Sequence, residues 1–185
     1  MSEYKIAATE LEEIAAAIQH PQAFEPLYRR HFSAIYSYIR KSVGNQELAA
    51  DLTSDVFYAA MVNLKQYKIN AFGIRPWLFK IALNQLRMHF RKNAKAMHIP
   101  LSENHLMEFV LIDQKVEANE LRQILSNQLS QLSEEEQEFI QLRFVAECSF
   151  KELGAILNVS EDAAKMRMSR LLDKLKRNFP QSLKP

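Results

Sequence analysis

Glycine is scarce in this chain: three residues in 185, at positions 44, 73 and 154. A β-rich fold needs turn glycines at many of its corners, so the shortage argues against one. Cysteine is scarcer still. Cys148 stands alone, which excludes an intramolecular disulfide framework and a multi-cysteine zinc site, and fits a reducing compartment. No run of about eighteen apolar residues occurs, so no membrane span is expected. The opening MSEYKIAATELEE is acidic and lacks the basic-then-apolar pattern of a signal peptide. Net charge is only +2, so whole-chain charge names no partner. There is no glycine-rich phosphate loop, and His20, His31, His89, His98 and His105 form no metal-ligand spacing with carboxylates or Cys148. The histidines read as surface or packing residues, and Cys148 as a half-buried small apolar one. The expectation is a cytoplasmic protein that is not an enzyme, with no metal, cofactor or small-molecule substrate.

What is abundant is Ala, Leu, Glu, Gln, Lys and Arg, all good helix formers, and the 48% hydrophobic content is enough for a core. The fold class read from this is all-α: two small helical domains joined by a linker, the C-terminal one a helix-turn-helix. The N-terminal domain covers 1–96. Within it, Thr9 and Glu12 have capping-box spacing for a short helix over 9–19. A longer helix runs from Pro21 to Val43 and stops at Gly44. Asn45 caps the next, over 46–65. A loop over 66–74 leads to a helix with Pro76 in its first turn. Residues 97–116, with Pro100 and no sustained apolar stripe, read as the linker. From 117 to 185 the helical pattern resumes. Ser133 with Glu136 and Ser149 with Glu152 repeat the capping-box signature. Asn158 suits a left-handed helix end, and Ser160 can cap the last helix with Glu161 and Asp162 at its positive end. Residues 149–178 thus read as short helix, tight turn, longer helix.

Helical phase separates two faces on that last helix. Ala164, Met168, Leu171, Leu172, Leu175 and Phe179 fall on one side; Ala163, Met166, Arg167, Arg170, Lys174 and Arg177 fall on the other. An apolar back with outward Arg and Lys is what a recognition helix requires, since Arg can donate two hydrogen bonds to guanine and either cation neutralises phosphate. A solvated basic face would show the same pattern. The stretch RPWLFKIALNQLRMHFRKNAK (75–95) poses the same choice. Leu78, Phe79, Ala82, Leu83, Leu86 and Phe90 group inward, while Lys80, Asn84, Arg87 and Arg91 line up at i, i+4, i+7 and i+11. Trp77 borders the basic row, where it could pack inward or stack on a base.

Three stretches taken together resemble one family, the sigma-70 class of bacterial sigma factors and specifically its small extracytoplasmic-function group. ADLTSDVFYAAM (50–61) is similar to that group's polymerase-binding helix, RPWLFKIALNQLRMHFRK (75–92) to its promoter −10 helix, and FKELGAILNVSEDAAKMRMSRLLDKLK (150–176) to its −35 helix-turn-helix. The resemblance implies core RNA polymerase (β′ coiled coil and β flap), promoter DNA and an anti-sigma factor as partners. It places Asp51, Leu52, Ser54 and Asp55 at the β′ coiled coil, and Glu47, Asp51 and Asp55 share one helix face as an acidic strip. It turns Asn84, Lys80, Arg87 and Arg91 toward the −10 region, with Trp77 at its upstream end. Tyr67, Asn70 and Phe72 fall in the loop that captures a flipped base. Lys165, Arg167 and Arg170 match the −35 reader, whose exposed side also carries Ala163, Met166 and Lys174. Where the group often has threonine and valine at the start of that helix, this chain has Ala163 and Ala164. Ala163 cannot donate a hydroxyl hydrogen bond, though its methyl suits a thymine methyl. The alternative reading is a stand-alone helix-turn-helix regulator, which explains 149–178 equally well but leaves the acidic strip and the Lys80–Arg91 row without a role.

Overall fold

The computed structural model describes residues 8–68, 72–93 and 127–177. The linker, the resumption of helix over 117–126, Asn70, His98, His105 and Phe179 lie outside the described residues. Among those described, every regular element is helical.

Helix α1 (Ala8–Gln19) already includes Thr9, so Thr9 lies within the helix and does not cap it. The segment expected to be one helix from Pro21 splits into a 3-10 turn, Pro21–Phe24, and α2 (Glu25–Val43), with Pro26 in the first turn of α2. Helix α2 ends in left-handed Gly44, whose N–H reaches the Arg40 carbonyl. Asn45 Oδ1 then accepts the Leu48 N–H at 2.9 Å and starts α3 (Gln46–Asn63), which closes in a 3-10 turn, Leu64–Gln66. Helix α4 (Arg75–Lys92) completes the N-terminal body. Its inward row Leu78, Phe79, Ala82, Leu83 and Leu86 is fully buried against Ile35, Tyr38 and Ile39 of α2 and Val56 of α3. Each of the leucine and phenylalanine side chains in this row contributes about 1.5–3 kcal/mol relative to exposure. Tyr38 and Phe79 meet edge to face, with ring centroids 5.4 Å apart.

Among the described residues, the C-terminal body opens with helix at 127–130. Both expected capping boxes form: Ser133 and Glu136 start α5 (Glu134–Ile140), and Ser149 and Glu152 start α6 (Phe150–Leu157). Between them the chain widens into a π-helical turn, Gln141–Val145, and passes through Glu147 at φ 55. Asn158 ends α6 at φ 59. Ser160 Oγ accepts the Ala163 N–H at 3.1 Å at the start of α7 (Glu161–Arg177). A Cβ added to Gly154 would lie 2.7 Å from the Val159 carbonyl oxygen, so glycine lets the turn fold back tightly on α6. The result is a helix-turn-helix with Ala164, Met168, Leu171 and Leu175 as its buried back.

The two bodies touch. Arg75, in the first turn of α4, pairs with Glu152 of α6 and donates to the Ala146 carbonyl at 2.7 Å. Arg87 grips Glu138 of α5 with two bonds, Nε to Oε1 at 2.6 Å and Nη2 to Oε2 at 2.5 Å. Cys148 lies beneath Arg75, its sulfur 3.9 Å from Nη1. It is wholly buried, not half-buried as its sequence context suggests. Burial pushes its thiol up to about 12, with Glu152 adding to the shift and Arg75 opposing it.

Candidate nucleic-acid interface

On α4 the polar row is built by helical phase alone. Lys80, Asn84 and Arg91 are exposed. Arg87 belongs to the same row and is still 47% exposed at its side chain, but Glu138 holds it. Trp77 is half-buried and tilts over Tyr67, centroids 5.1 Å apart. Tyr67 itself is buried at 8% and its hydroxyl donates to the Gly73 carbonyl at 2.6 Å. Its ring therefore forms the floor beneath Trp77 and offers no open face for a flipped base. Of the loop residues expected to capture one, Phe72 is half-buried and Asn70 lies outside the described residues.

On α7, Ala163, Lys165, Met166 and Arg170 are exposed, Met166 at 54%. The cations do not all stand free. Arg167 lies over the Phe139 ring at 5.1 Å and pairs with Glu135 at 3.3 Å. Lys174 pairs with Glu136 at 2.8 Å. Burial alone would raise the Glu136 pKa, but Lys174 and the Ser133 N–H outweigh it and hold the carboxyl below the usual range. Lys165 bridges Glu161 and Asp162 within its own helix. Arg170 makes no ion pair among the described residues and projects from the groove between α5 and α7. Phase analysis found the basic face but could not find Glu135 and Glu136, because they come from a different helix.

On α3, Glu47, Asp51 and Asp55 are exposed on one side, with Ser54 exposed beside them. Leu52 is not part of that surface. It is 7% exposed and faces the core, because a step of one residue from Asp51 turns it about 100° inward. Beside the strip lie residues that the sequence reading missed, Tyr58 at 67%, Met61 at 39% and Val62 at 58% exposed. Behind them Tyr28, Phe32 and Tyr36 stack along α2 toward Phe57. The available signal was that Tyr58, Met61 and Val62 are apolar yet fall off the buried stripe of α3.

No described helix is long and apolar enough to cross a membrane. The sequence matches the family model for sigma-70 region 2 over residues 27–96 and that for sigma-70 region 4 over 128–177. It is 27% identical over 172 residues to the RNA polymerase sigma factor YlaC of Bacillus subtilis, covering 89% of this chain and 96% of that protein. It is 29% identical over 154 residues to CarQ of Myxococcus xanthus, an RNA polymerase sigma factor, covering 83% and 87%. Among solved structures, CnrH in complex with the cytosolic domain of CnrY superposes with a TM-score of 0.58 at 25% identity, covering 89% of this chain and 93% of CnrH.

Proposed function

This chain belongs to the sigma-70 family of RNA polymerase sigma factors and directs transcription initiation; on that premise we propose how its surfaces divide the work. Its relatives include extracytoplasmic-function sigma factors, and the family is not enzymatic. The region 2 match over residues 27–96 supports a sigma-factor role for the N-terminal helices over a stand-alone regulator, which leaves them without one.

The α3 strip of Glu47, Asp51, Ser54 and Asp55 docks on the β′ coiled coil, with Leu52 supporting it from beneath and Tyr58, Met61 and Val62 supplying apolar contact. Residues 127–177 engage the β flap, and the linker 97–116 passes through the polymerase between them. This takes place in the cytoplasm, where the polymerase is. The exposed row Lys80, Asn84 and Arg91 faces the −10 region, with Trp77 at the upstream edge of the melted strand and Phe72 and Asn70 nearest an extruded base. Extruding that base costs a few kcal/mol, offset by its new contacts. Ala163, Lys165, Met166 and Arg170 face the −35 duplex, joined by Arg167 and Lys174 once phosphates replace their carboxylate partners. An anti-sigma protein covering the α3 strip would block polymerase directly. CnrH, which this chain resembles, forms a complex with the cytosolic domain of CnrY.

The observation that carries this reading is the pairing on one chain of a bordered polar row on α4 with a capped helix-turn-helix. It has a geometric consequence. Elements named −10 and −35 lie about 25 base pairs apart, roughly 85 Å of duplex, whereas α4 and α6 are joined here through Arg75 and Glu152. The seam must open before both elements are read. The test is to load core polymerase with this protein and offer a promoter library. A discrete promoter set should emerge, and Asn84→Ala should relax discrimination at −10 while Arg170→Ala acts at −35. If both variants choose the same promoters as the wild type with equal efficiency, the surface assignment fails.

A further inference from the structure

Helix α4 has Pro76 in its first turn but no cap of its own. Its N-cap is Ile74, which has no side chain able to cap, and its first turn contains no acid and a cation, Arg75. The amide dipoles at a helix start favour negative charge there and disfavour positive charge. The missing group comes from another helix. Glu10 of α1 is 3% exposed, and its Oε1 accepts the Ile74 N–H at 3.0 Å across 64 residues of sequence. Arg30 lies 3.6 Å from Oε2, and the buried His31 ring nitrogen Nε2 is 3.6 Å from Oε1, ion-pair range but beyond a hydrogen bond. Arg30 is fixed in turn by Glu13 of α1 at 2.7 Å. Gly73 completes the arrangement. It stands at φ +68, and a Cβ there would fall 2.5 Å from Glu10 Oε1. Tyr67, Gly73, Ile74 and Trp77 are thereby tied together, since the Tyr67 hydroxyl bonds the Gly73 carbonyl and its ring lies against Trp77. Glu10 precedes the segment that matches region 2, which starts at residue 27.

We infer that Glu10 is a positioning residue for promoter recognition: acting from α1, it caps α4 and sets the pose of Trp77 and of the Lys80–Asn84 row. It touches no DNA. The inference rests on the reading of α4 as the −10 helix. A buried carboxylate without this task would cost folding energy and return nothing specific. Its removal would then lower the amount of active protein and nothing else.

The experiment uses full-length protein loaded on core polymerase, and a promoter obtained from the library with its −10 or −35 element intact or base-substituted. The readout is the ratio of initiation on intact to substituted promoter, which is indifferent to the fraction of protein folded. Glu10→Ala should cut the −10 ratio on the order of tenfold, the scale of losing a hydrogen bond to a charged group, and leave the −35 ratio unchanged. Glu10→Gln, which keeps an oxygen for the Ile74 N–H, should fall within about threefold of wild type. Gly73→Ala displaces the carboxylate and should reproduce the defect, with the double variant no worse than either single one, as expected for residues acting as a unit. Hydrogen exchange at the Ile74 amide should quicken in Glu10→Ala. An unchanged −10 ratio in Glu10→Ala, or an equal fall in both ratios, overturns the inference. Asn84→Ala separates the two failures: if it too leaves the −10 ratio unchanged, the reading of α4 is wrong and the inference goes with it.

Discussion

Glu138→Gln should loosen the seam between the two bodies, and the size of the effect can be set from its surroundings. Glu138 is buried, and its described polar contacts are the two bonds from Arg87. Hydrogen bonds to charged groups contribute about 1.5–3 kcal/mol each before screening. Arg87 is half in water, so the charge part is weakened and about 1–2 kcal/mol is a fair figure for the neutral variant. Glu152 would be a poorer target, because it also accepts from the Ser149 N–H at 2.8 Å and caps α6. Arg87→Ala would be harsher, since it strands a buried carboxylate at a cost of about 3 kcal/mol or more. Cys148 supplies the assay. It is the lone cysteine, it is wholly buried under Arg75, and its thiol is held near 12. Thiolate is the reactive form, so labelling at neutral pH must proceed through opening. A loss of about 1.4 kcal/mol at the seam should raise the labelling rate about tenfold, with little change in the denaturant midpoint of either body. The reasoning is refuted if Glu138→Gln labels at the wild-type rate. It is equally refuted if faster labelling is matched by loss of global stability, because the thiol would then report unfolding and not separation.

Further outcomes follow from the same geometry. Arg167→Ala should lower thermal stability, because Arg167 lies over Phe139 and pairs with Glu135. Arg170→Ala should leave melting unchanged but either reduce −35 discrimination by about 1–3 kcal/mol or lower the salt slope of DNA binding by about one. Asp51 and Asp55 are exposed, so replacing both with Asn should weaken core polymerase binding in a titration while circular dichroism stays constant. Leu52→Ala should instead destabilise the fold by about 2–4 kcal/mol. Glu10 and Glu136 both titrate below the ordinary 4.5 in the folded chain. Their stabilisation is complete above that value and is lost as pH falls through the lowered folded values. Melting temperature should therefore drop below about pH 4.5, and Glu10→Gln should flatten that drop.

The local grammar of the chain was readable in advance. Asn45, Ser133, Ser149, Asn158 and Ser160 cap or end the helices expected of them because a cap is decided within four residues. Helical phase likewise sorted Leu78, Phe79 and Leu86 from Lys80 and Asn84. It failed where the deciding partner is distant in sequence. Glu138 takes Arg87 across 51 residues, and Tyr67, chemically apt for stacking, is used up by Gly73 and Trp77. The π-helical turn at Gln141–Val145 has no sequence signal in the phase and capping patterns. Leu52 is buried for a local reason: it stands one residue, about 100°, from Asp51 on α3, so a position matched by family resemblance falls on the inner face of the helix.

The low net charge and the carboxylate pairing on the surfaces proposed to face DNA act in the same direction. A chain of +2 has little long-range attraction for DNA, and here much of the local attraction is occupied as well. Arg87 faces Glu138, Arg167 faces Glu135, Lys174 faces Glu136 and Lys165 faces Glu161. A phosphate can replace a carboxylate at each of these cations, because both present anionic oxygens that accept from the same donors. The exchange is close to neutral for an exposed pair and costs most at Glu138, which is buried and must first be freed from the seam. Free protein should therefore bind promoter DNA feebly, whatever its sequence. On the surface assignment proposed above, polymerase that holds the two bodies apart would separate Glu138 from Arg87, so the cost of opening would be met by core binding and the α4 row left with its full complement of charge.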